Sequence, residues 1–325
     1  MESIKEKSSV KRKKYNGFKD FYAKNRSQVP LTLMTLPAVI IVFMFSYVPM
    51  FGIILAFKDF NVRDGIFGSP WNGLENFSYL FKSNDAAIML RNTIGYNLLF
   101  LSVGLVLNLS LAIALSLIRN KYAKKVYQTV YIMPYFLSMV IVSYLVLAFL
   151  NMEHGFMNKS ILPMLGIDPV NWYVTKGPWP FILTIVNFWK WTGYSSIMYT
   201  AAIAGIDTQL YEAASVDGAG LCQQIWHITL PGLKTLICIS LITQVGQLLA
   251  GDFGLFYQVP MNSGAIKDVT VTIPVYIFKN LTSGSTSTLG LASATSFLNS
   301  VISCILVVTT NAIVDKISNG ENSLF

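Results

Sequence analysis

Residues 31–56 read LTLMTLPAVIIVFMFSYVPMFGIILA, a run that holds no Lys, Arg, Asp or Glu. About 20 helical residues of this kind cross the roughly 30 Å of bilayer hydrocarbon, so the run predicts a membrane span. It is too long for the apolar core of a cleaved leader, and no small-x-small site follows it, so it is read as a retained span.

Five further runs have the same character: 93–118, 130–150, 180–204, 236–255 and 291–314. The fourth is the least oily, because NFWKWTGY (187–194) sits in its middle. These runs predict an all-α integral membrane protein with six transmembrane helices. Its organisation is a basic N-terminal segment, 1–30, followed by a transmembrane domain, 31–325. Composition agrees. The 325 residues are 53% hydrophobic and only 12% charged, with a mean hydropathy of +0.52, whereas a soluble domain carries roughly 25% charge. A soluble enzyme of this size lacks its polar shell here. Three scattered cysteines (Cys222, Cys238, Cys304) offer neither a disulfide framework nor a thiolate metal site. No basic patch with interleaved aromatics is present for nucleic acid, so none is expected as a partner.

Charge sets the orientation. The first 30 residues hold nine Lys/Arg, including the tract Lys11, Arg12, Lys13, Lys14, and the connection after the second run holds Arg119, Lys121, Lys124 and Lys125. With six spans, this bias predicts that both termini of this multi-pass protein face the cytoplasm. The tract 11–14 has a second reading as a nucleic-acid arm, but beside a span it is the ordinary topology signal. In the outside loops, Trp71, Phe77, Tyr79 and Phe81 predict a short interfacial element before the second span, and Trp172 and Trp179 lie in the next loop. Such aromatics grip sugars, and they also settle at lipid interfaces.

The inside connection between the fourth and fifth spans, DTQLYEAASVDGAGLCQQIWHITLPGLKT (207–235), carries the most information. Asp207 or Thr208 can cap a helix that runs through Tyr211–Ala214. Gly218 and Gly220 interrupt it. Leu221, Ile225 and Ile228 then recur at helical spacing, and Pro231 is expected to end the second helix. Two short helices with small residues at the bend make a knob that fits a concave partner. An amphipathic connector lying on the membrane surface would show the same periodicity.

Here the sequence resembles a known family. Glu212-Ala213-Ala214, three residues, Gly218, nine residues, then Ile228-Thr229-Leu230-Pro231 is similar to the coupling motif of the membrane subunits of bacterial ABC importers. The resemblance extends to SYVPMFGIILAFKDF (46–60), WNGLENF (71–77), NT (92–93) and YIMPYFLS (131–138), which look like the branch that imports oligosaccharides, including complex and uronate-containing glycans. It implies a type I importer permease fold in a bacterial cell membrane. It also implies that residues 207–231 form cytoplasmic coupling helices against an ATP-binding subunit, with Glu212, Ala213, Ala214, Asp217, Gly218, Ile228, Leu230 and Pro231 as the ATPase-coupling positions. The partners implied are a second homologous permease, two ATP-binding subunits, an extracellular lipid-anchored or soluble solute-binding protein, and an oligosaccharide. No cofactor is expected in this chain; ATP and Mg2+ belong to the partner subunits, since no GxxxxGK[ST] loop occurs here.

A path for a polyhydroxylated cargo needs hydrogen-bonding groups and aromatic faces inside the membrane. Asn187, Lys190, Trp191 and Tyr194 are three or four apart and share one helical face. Gln244 and Gln247 share another, Asp252 lies near the end of the fifth run, and Asn299 is polar within the sixth. The resemblance also implies path positions at Asn187 and Gln244. Lys190 has two readings. An intramembrane cation costs roughly 2.5–3.5 kcal/mol even on lenient scales, so it needs a counterpart. That counterpart is either an acidic cargo, or, with a neutral sugar, a carboxylate of the companion subunit or an aromatic ring to stack on. His154 and His227 have no metal-ligand spacing. The alternative from another class, an ion-coupled secondary transporter, would show internal repeats around a midplane ion site; none is evident.

Overall fold

The computed structural model describes residues 29–318. The tract Lys11–Lys14 and most of the expected segment 1–30 lie outside the described residues. By the density of its contacts the chain divides into two compact units, Met1–Ile53 and Ile54–Phe325.

The first apolar run is helical throughout: α1 (Val29–Val42), a π-type turn at Phe43–Tyr47, then a 3-10 stretch at Val48–Phe57. Pro49 has no N–H to give, so the hydrogen-bond ladder changes register around it.

In the second unit a short helix, α2 (Glu75–Lys82), leads into the 34-residue α3 (Asn84–Leu117). Asn120 caps α4 (Lys121–Ile132) by accepting from the Tyr122 and Ala123 N–H groups. The chain tightens to a 3-10 turn at Met133–Phe136, where Pro134 breaks the ladder, and Ser138 caps α5 (Met139–Leu150). Next come α6 (Trp179–Ala204), α7 (Thr208–Val216) and α8 (Leu221–Gln224). α8 continues through a π-type turn, Ile225–Thr229, to Leu230–Gly232. α9 (Lys234–Gly246), α10 (Phe253–Gln258), α11 (Ile273–Thr282) and the 33-residue α12 (Thr286–Ser318) complete the described chain.

Of the six expected spans, fewer are plainly apolar helices among the described residues. Three stretches are long and apolar enough to cross a bilayer: Leu33–Phe57, Asn84–Leu117 and Thr288–Lys316. Two bent pairs raise this to as many as five if each is one span: Lys121–Phe136 with Met139–Leu150, at 96°, and Leu221–Gly232 with Lys234–Gly246, at 60°. The third run, 130–150, is therefore two helices meeting nearly at a right angle. α6 has the length, 26 residues, but its polar middle keeps it from counting as an apolar span. The fifth run ends early, at Gly246, and re-forms as α10.

α3 and α6 lie along each other as the centre of the second unit. Near one end, Met89, Tyr96, Val142, Trp179, Leu183, Leu255 and Phe256 form the main cluster. Trp179 has no exposed surface, and its indole N–H donates to the Trp172 carbonyl at 2.7 Å. Toward the other end, Ala112, Tyr199, Ile203 and Leu233 form a second cluster, with the Tyr199 hydroxyl 2.7 Å from Ser240 Oγ.

α3 also ties down the chain between α10 and α11. Asn92 Nδ2 donates to the carbonyls of Asp268 and Val271 at 3.0 and 2.9 Å. Thr93 Oγ1 accepts the Ile273 N–H at 2.9 Å, and the Tyr96 hydroxyl donates to the Val269 carbonyl at 2.8 Å. Backbone groups of a loop packed against a helix are thereby satisfied by side chains.

Candidate functional site

The connection 207–233 folds as a helical hairpin. Asp207 is the cap, its carboxylate accepting the Gln209 N–H at 3.0 Å. α7 ends in two nested bonds: the Gly218 N–H donates to the Ser215 carbonyl at 3.2 Å, and the Ala219 N–H to the Ala214 carbonyl at 2.8 Å. Gly218 has φ +82°, the left-handed conformation that such an ending requires. A Cβ there would meet nothing within 4 Å, so glycine serves the bend and not a close approach. Gln223 Oε1 accepts the Gly220 N–H at 2.7 Å and starts α8. Gln224 Nε2 bridges to Ser215 Oγ at 3.0 Å and the Ala219 carbonyl at 3.2 Å, and Tyr211 OH meets Thr229 Oγ1 at 3.0 Å. Glu212, Ala213, Asp217 and Pro231 are exposed on this knob, while Ala214, Ile228 and Leu230 are half-buried. Val216, Leu221 and Trp226 are exposed apolar side chains beside them. The second helix ends within one residue of Pro231: a π-type turn precedes the proline and absorbs its missing N–H, and the helix stops at Gly232, where the chain bends by 60° into α9.

A cavity of about 540 Å³ opens between α3, α6, α9 and the turn into α10. Of the residues expected along a path, Asn187, Trp191, Gln244, Gln247 and Asp252 line it together. Asp252 caps α10: Oδ1 accepts the Leu255 N–H at 3.1 Å, and Oδ2 accepts the Trp191 indole N–H at 3.3 Å. The lining also includes Asn97 and Asn108 of α3, which sequence reasoning missed. Both sit in a stretch that reads as uniformly apolar, and the signal for them was their isolation as amides within it. Asn97 Nδ2 is held by the Thr93 and Leu248 carbonyls at 2.9 and 2.7 Å.

Three expected residues lie elsewhere. Asn299 borders a separate apolar crevice with Leu80, Met89 and Ile273, and its buried Oδ1 has no hydrogen-bond partner among the described residues. Tyr194 stacks on Tyr135 with ring centroids 3.9 Å apart. Lys190, 5% exposed, points into the break after α4, where Nζ donates to the carbonyls of Pro134 (3.5 Å), Tyr135 (3.2 Å) and Leu137. The indole of Trp191 lies 5.8 Å from its Nζ. One turn on, a Cβ at Gly193 would stand 1.8 Å from the Tyr131 carbonyl oxygen, so α6 and the end of α4 touch backbone to backbone.

Long helices with a half-polar central member, a hydrogen-bonding cavity and a protruding helical hairpin define a multi-pass membrane permease. Residues 104–315 match the binding-protein-dependent transport system inner membrane component family. The chain belongs to that family: it is a permease subunit of an ATP-driven bacterial ABC importer. Among curated relatives, the polygalacturonan/rhamnogalacturonan transport system permease protein YteP of Bacillus subtilis is 33% identical, over 91% of this chain and 90% of its own. The trehalose/maltose transport system permease protein MalF of Thermococcus litoralis is 29% identical, over 83% and 88%. A crystal structure of a bacterial ABC transporter involved in the import of the acidic polysaccharide alginate superposes with a TM-score of 0.83 at 30% identity, covering 92% of this chain and 99% of that one. The match is to a transport subunit and not to an ATPase, and among the described residues no group of His, Cys, Asp and Glu could hold a metal ion.

Proposed function

We propose that the cavity between α3, α6 and α9 is this chain's part of the path along which an oligosaccharide crosses the membrane. The chain acts as a permease subunit of an ATP-driven oligosaccharide importer, in keeping with relatives named for polygalacturonan, rhamnogalacturonan, trehalose and maltose transport. The observation that carries the reading is the lining itself: amides from three helices, Asn97, Asn187 and Gln244, face one space beside Trp191. Hydroxyl-rich cargo needs both the amides and the aromatic face.

The expected residues divide accordingly. Asn187, Trp191, Gln244, Gln247 and Asp252 contact or flank cargo, while Lys190, Tyr194 and Asn299 support the surrounding helices. Residues 207–231 are the coupling helices, and Glu212, Gly218 and their neighbours seat in a groove of an ATP-binding subunit that supplies ATP and Mg2+. A second, homologous permease closes the path, and an extracellular binding protein delivers the glycan. In this reading six segments cross the bilayer, α6 and the bent pairs included, with both termini in the cytoplasm. ATP binding moves the hairpin, and the cavity alternates between the two faces.

The test is ATP hydrolysis by the assembled importer in proteoliposomes, which an oligosaccharide offered with its binding protein should stimulate severalfold. Substitution of Asn187 by Leu should abolish transport while leaving assembly intact; undiminished uptake by that variant would overturn the path. Impermeant thiol labelling of intact cells should reach cysteines placed in 256–290 but not at Gln223, and labelling of position 223 from outside would reverse the orientation.

A further inference from the structure

The cavity has one ionisable side chain on its wall, and it is an anion. Among the described residues that line it, amides, hydroxyls and aromatic rings surround Asp252, and no Lys, Arg or His joins them. The nearest cation in sequence, Lys190, is turned away. Its ammonium has three donors, and three backbone carbonyls accept them. The negative ends of those carbonyl dipoles face its charge, and its ammonium forms no part of the cavity wall. Lys190 and Asp252 interact through space, but they form no salt bridge among those of the described residues. Asp252 itself receives two neutral donors, the Leu255 N–H and the Trp191 indole N–H. A carboxylate offers about four acceptor positions, so about two remain open.

We propose that Asp252 is a specificity-determining residue of the importer: it accepts hydrogen bonds from uncharged sugar hydroxyls and repels ring carboxylates. This subunit's wall of the cavity thereby selects neutral glycan segments over uronates. The proposal rests on the reading of this cavity as the sugar path. A hydroxyl donating to a carboxylate makes a charge-assisted bond, about twice as strong as a neutral one. Two carboxylates about 8 Å apart, in surroundings of effective dielectric about 20, repel enough to lower occupancy more than tenfold. A uronate-rich oligomer would have to turn its carboxylates from this wall toward the companion subunit.

The test uses the complete importer, with companion permease, ATP-binding subunits and binding protein, in proteoliposomes. The probes are two matched pairs: oligogalacturonate pentasaccharide against its methyl ester, and maltopentaose against its 6-carboxyl derivative. Asp252→Asn keeps an oxygen for the Leu255 cap and removes the charge. The binding protein is the same on both sides of the comparison, so its own preference cancels. The expected result is a rise of about tenfold in the ratio of acidic to neutral uptake, through faster acidic uptake. An unchanged or smaller ratio in Asp252→Asn, assembled to wild-type amounts, overturns the assignment. Should that variant fail to assemble, Asp252→Ser, which also caps, is read in the same way. If neither pair is carried or stimulates ATP hydrolysis in the wild type, the path reading falls, an outcome separate from an unmoved ratio.

Discussion

Lys190 and Leu137, 53 positions apart in the chain, meet where the helix of α4 stops: the lysine ammonium donates to the leucine carbonyl, with the carbonyls of Tyr135 and Pro134 beside it. The last carbonyls of a helix lack partners within it and carry its negative pole. A cation placed there caps the helix, and in doing so fixes the 96° turn between α4 and α5.

Lys190→Met should remove these charged bonds, leaving the Pro134 carbonyl only the Leu137 N–H at 3.2 Å, and cost about 2 kcal/mol or more, the usual worth of hydrogen bonds to a charged group. Lys190→Arg should recover part of this, since a planar fork matches three converging carbonyls less well. The measurement is the thermal midpoint of the purified complex, together with uptake of acidic and neutral cargo. Both cargoes should lose equally; a selective loss of acidic uptake would place Lys190 in the path after all.

Gly193→Ala should destabilise by roughly 1–3 kcal/mol or more, because its Cβ would overlap the Tyr131 carbonyl. Gly104→Ala is the control, where the nearest neighbour is the Phe188 ring at 3.6 Å. Denaturation midpoints of the two variants should separate clearly. Equal midpoints would mean that α4 and α6 do not touch as described.

At Gly218 the left-handed backbone, and not crowding, sets the requirement. Gly218→Asn should therefore be milder than Gly218→Leu, for which the strain is roughly 1–2 kcal/mol. Transport per ATP hydrolysed should fall in the order glycine, asparagine, leucine, and Glu212→Lys should uncouple the exposed face without moving the bend. Wild-type coupling in both Gly218→Leu and Glu212→Lys would remove the hairpin from energy transfer.

Asp268 pairs with Lys176. That hydrogen bond, helped by the charges of Lys176, Lys267 and Arg91, holds its carboxyl below the usual 3.8 despite some opposing desolvation. A depressed folded pKa means that the stabilisation is complete above pH 3.8 and is lost as pH falls through the lower, folded value. Tryptophan fluorescence, with Trp172 and Trp179 flanking Lys176, should show a fixed gap in thermal midpoint between wild type and Asp268→Asn from pH 7 to about 4. The gap should close below that. A gap that closes at higher pH would rule out this carboxylate as the titrating group.

Long apolar runs were legible at α3 and α12 because hydropathy alone makes them. The bend at Pro134 was not, since a proline announces a break but gives neither its angle nor the lysine that caps it from 56 positions away. Helical spacing placed Asn187 and Trp191 on a common wall correctly as geometry. It also put Lys190 there, because spacing records where a side chain starts and not where a flexible four-carbon stem ends. Asp252 was legible as a polar residue near the end of a run, while its part in capping α10 depends on where α9 stops. The hairpin was the most legible element: Asp207, Gly218 and Pro231 are punctuation with local meaning, although a π-type turn carried the helix past the proline.

The bonds from Asn92, Thr93 and Tyr96 have a mechanical corollary. α3 is about 50 Å of continuous helix. One end is fastened to the 268–273 loop, and the other packs through Ala112 on Leu233, at the foot of the hairpin. The cavity residues Asn97 and Asn108 lie between. If such a rod pivots between its ends, near Asn97 and Asn108, it acts as a lever. A tilt of about 5° would sweep each end by about 2 Å in opposite directions, so a push at Leu233 arrives at the far loop as a reversed stroke.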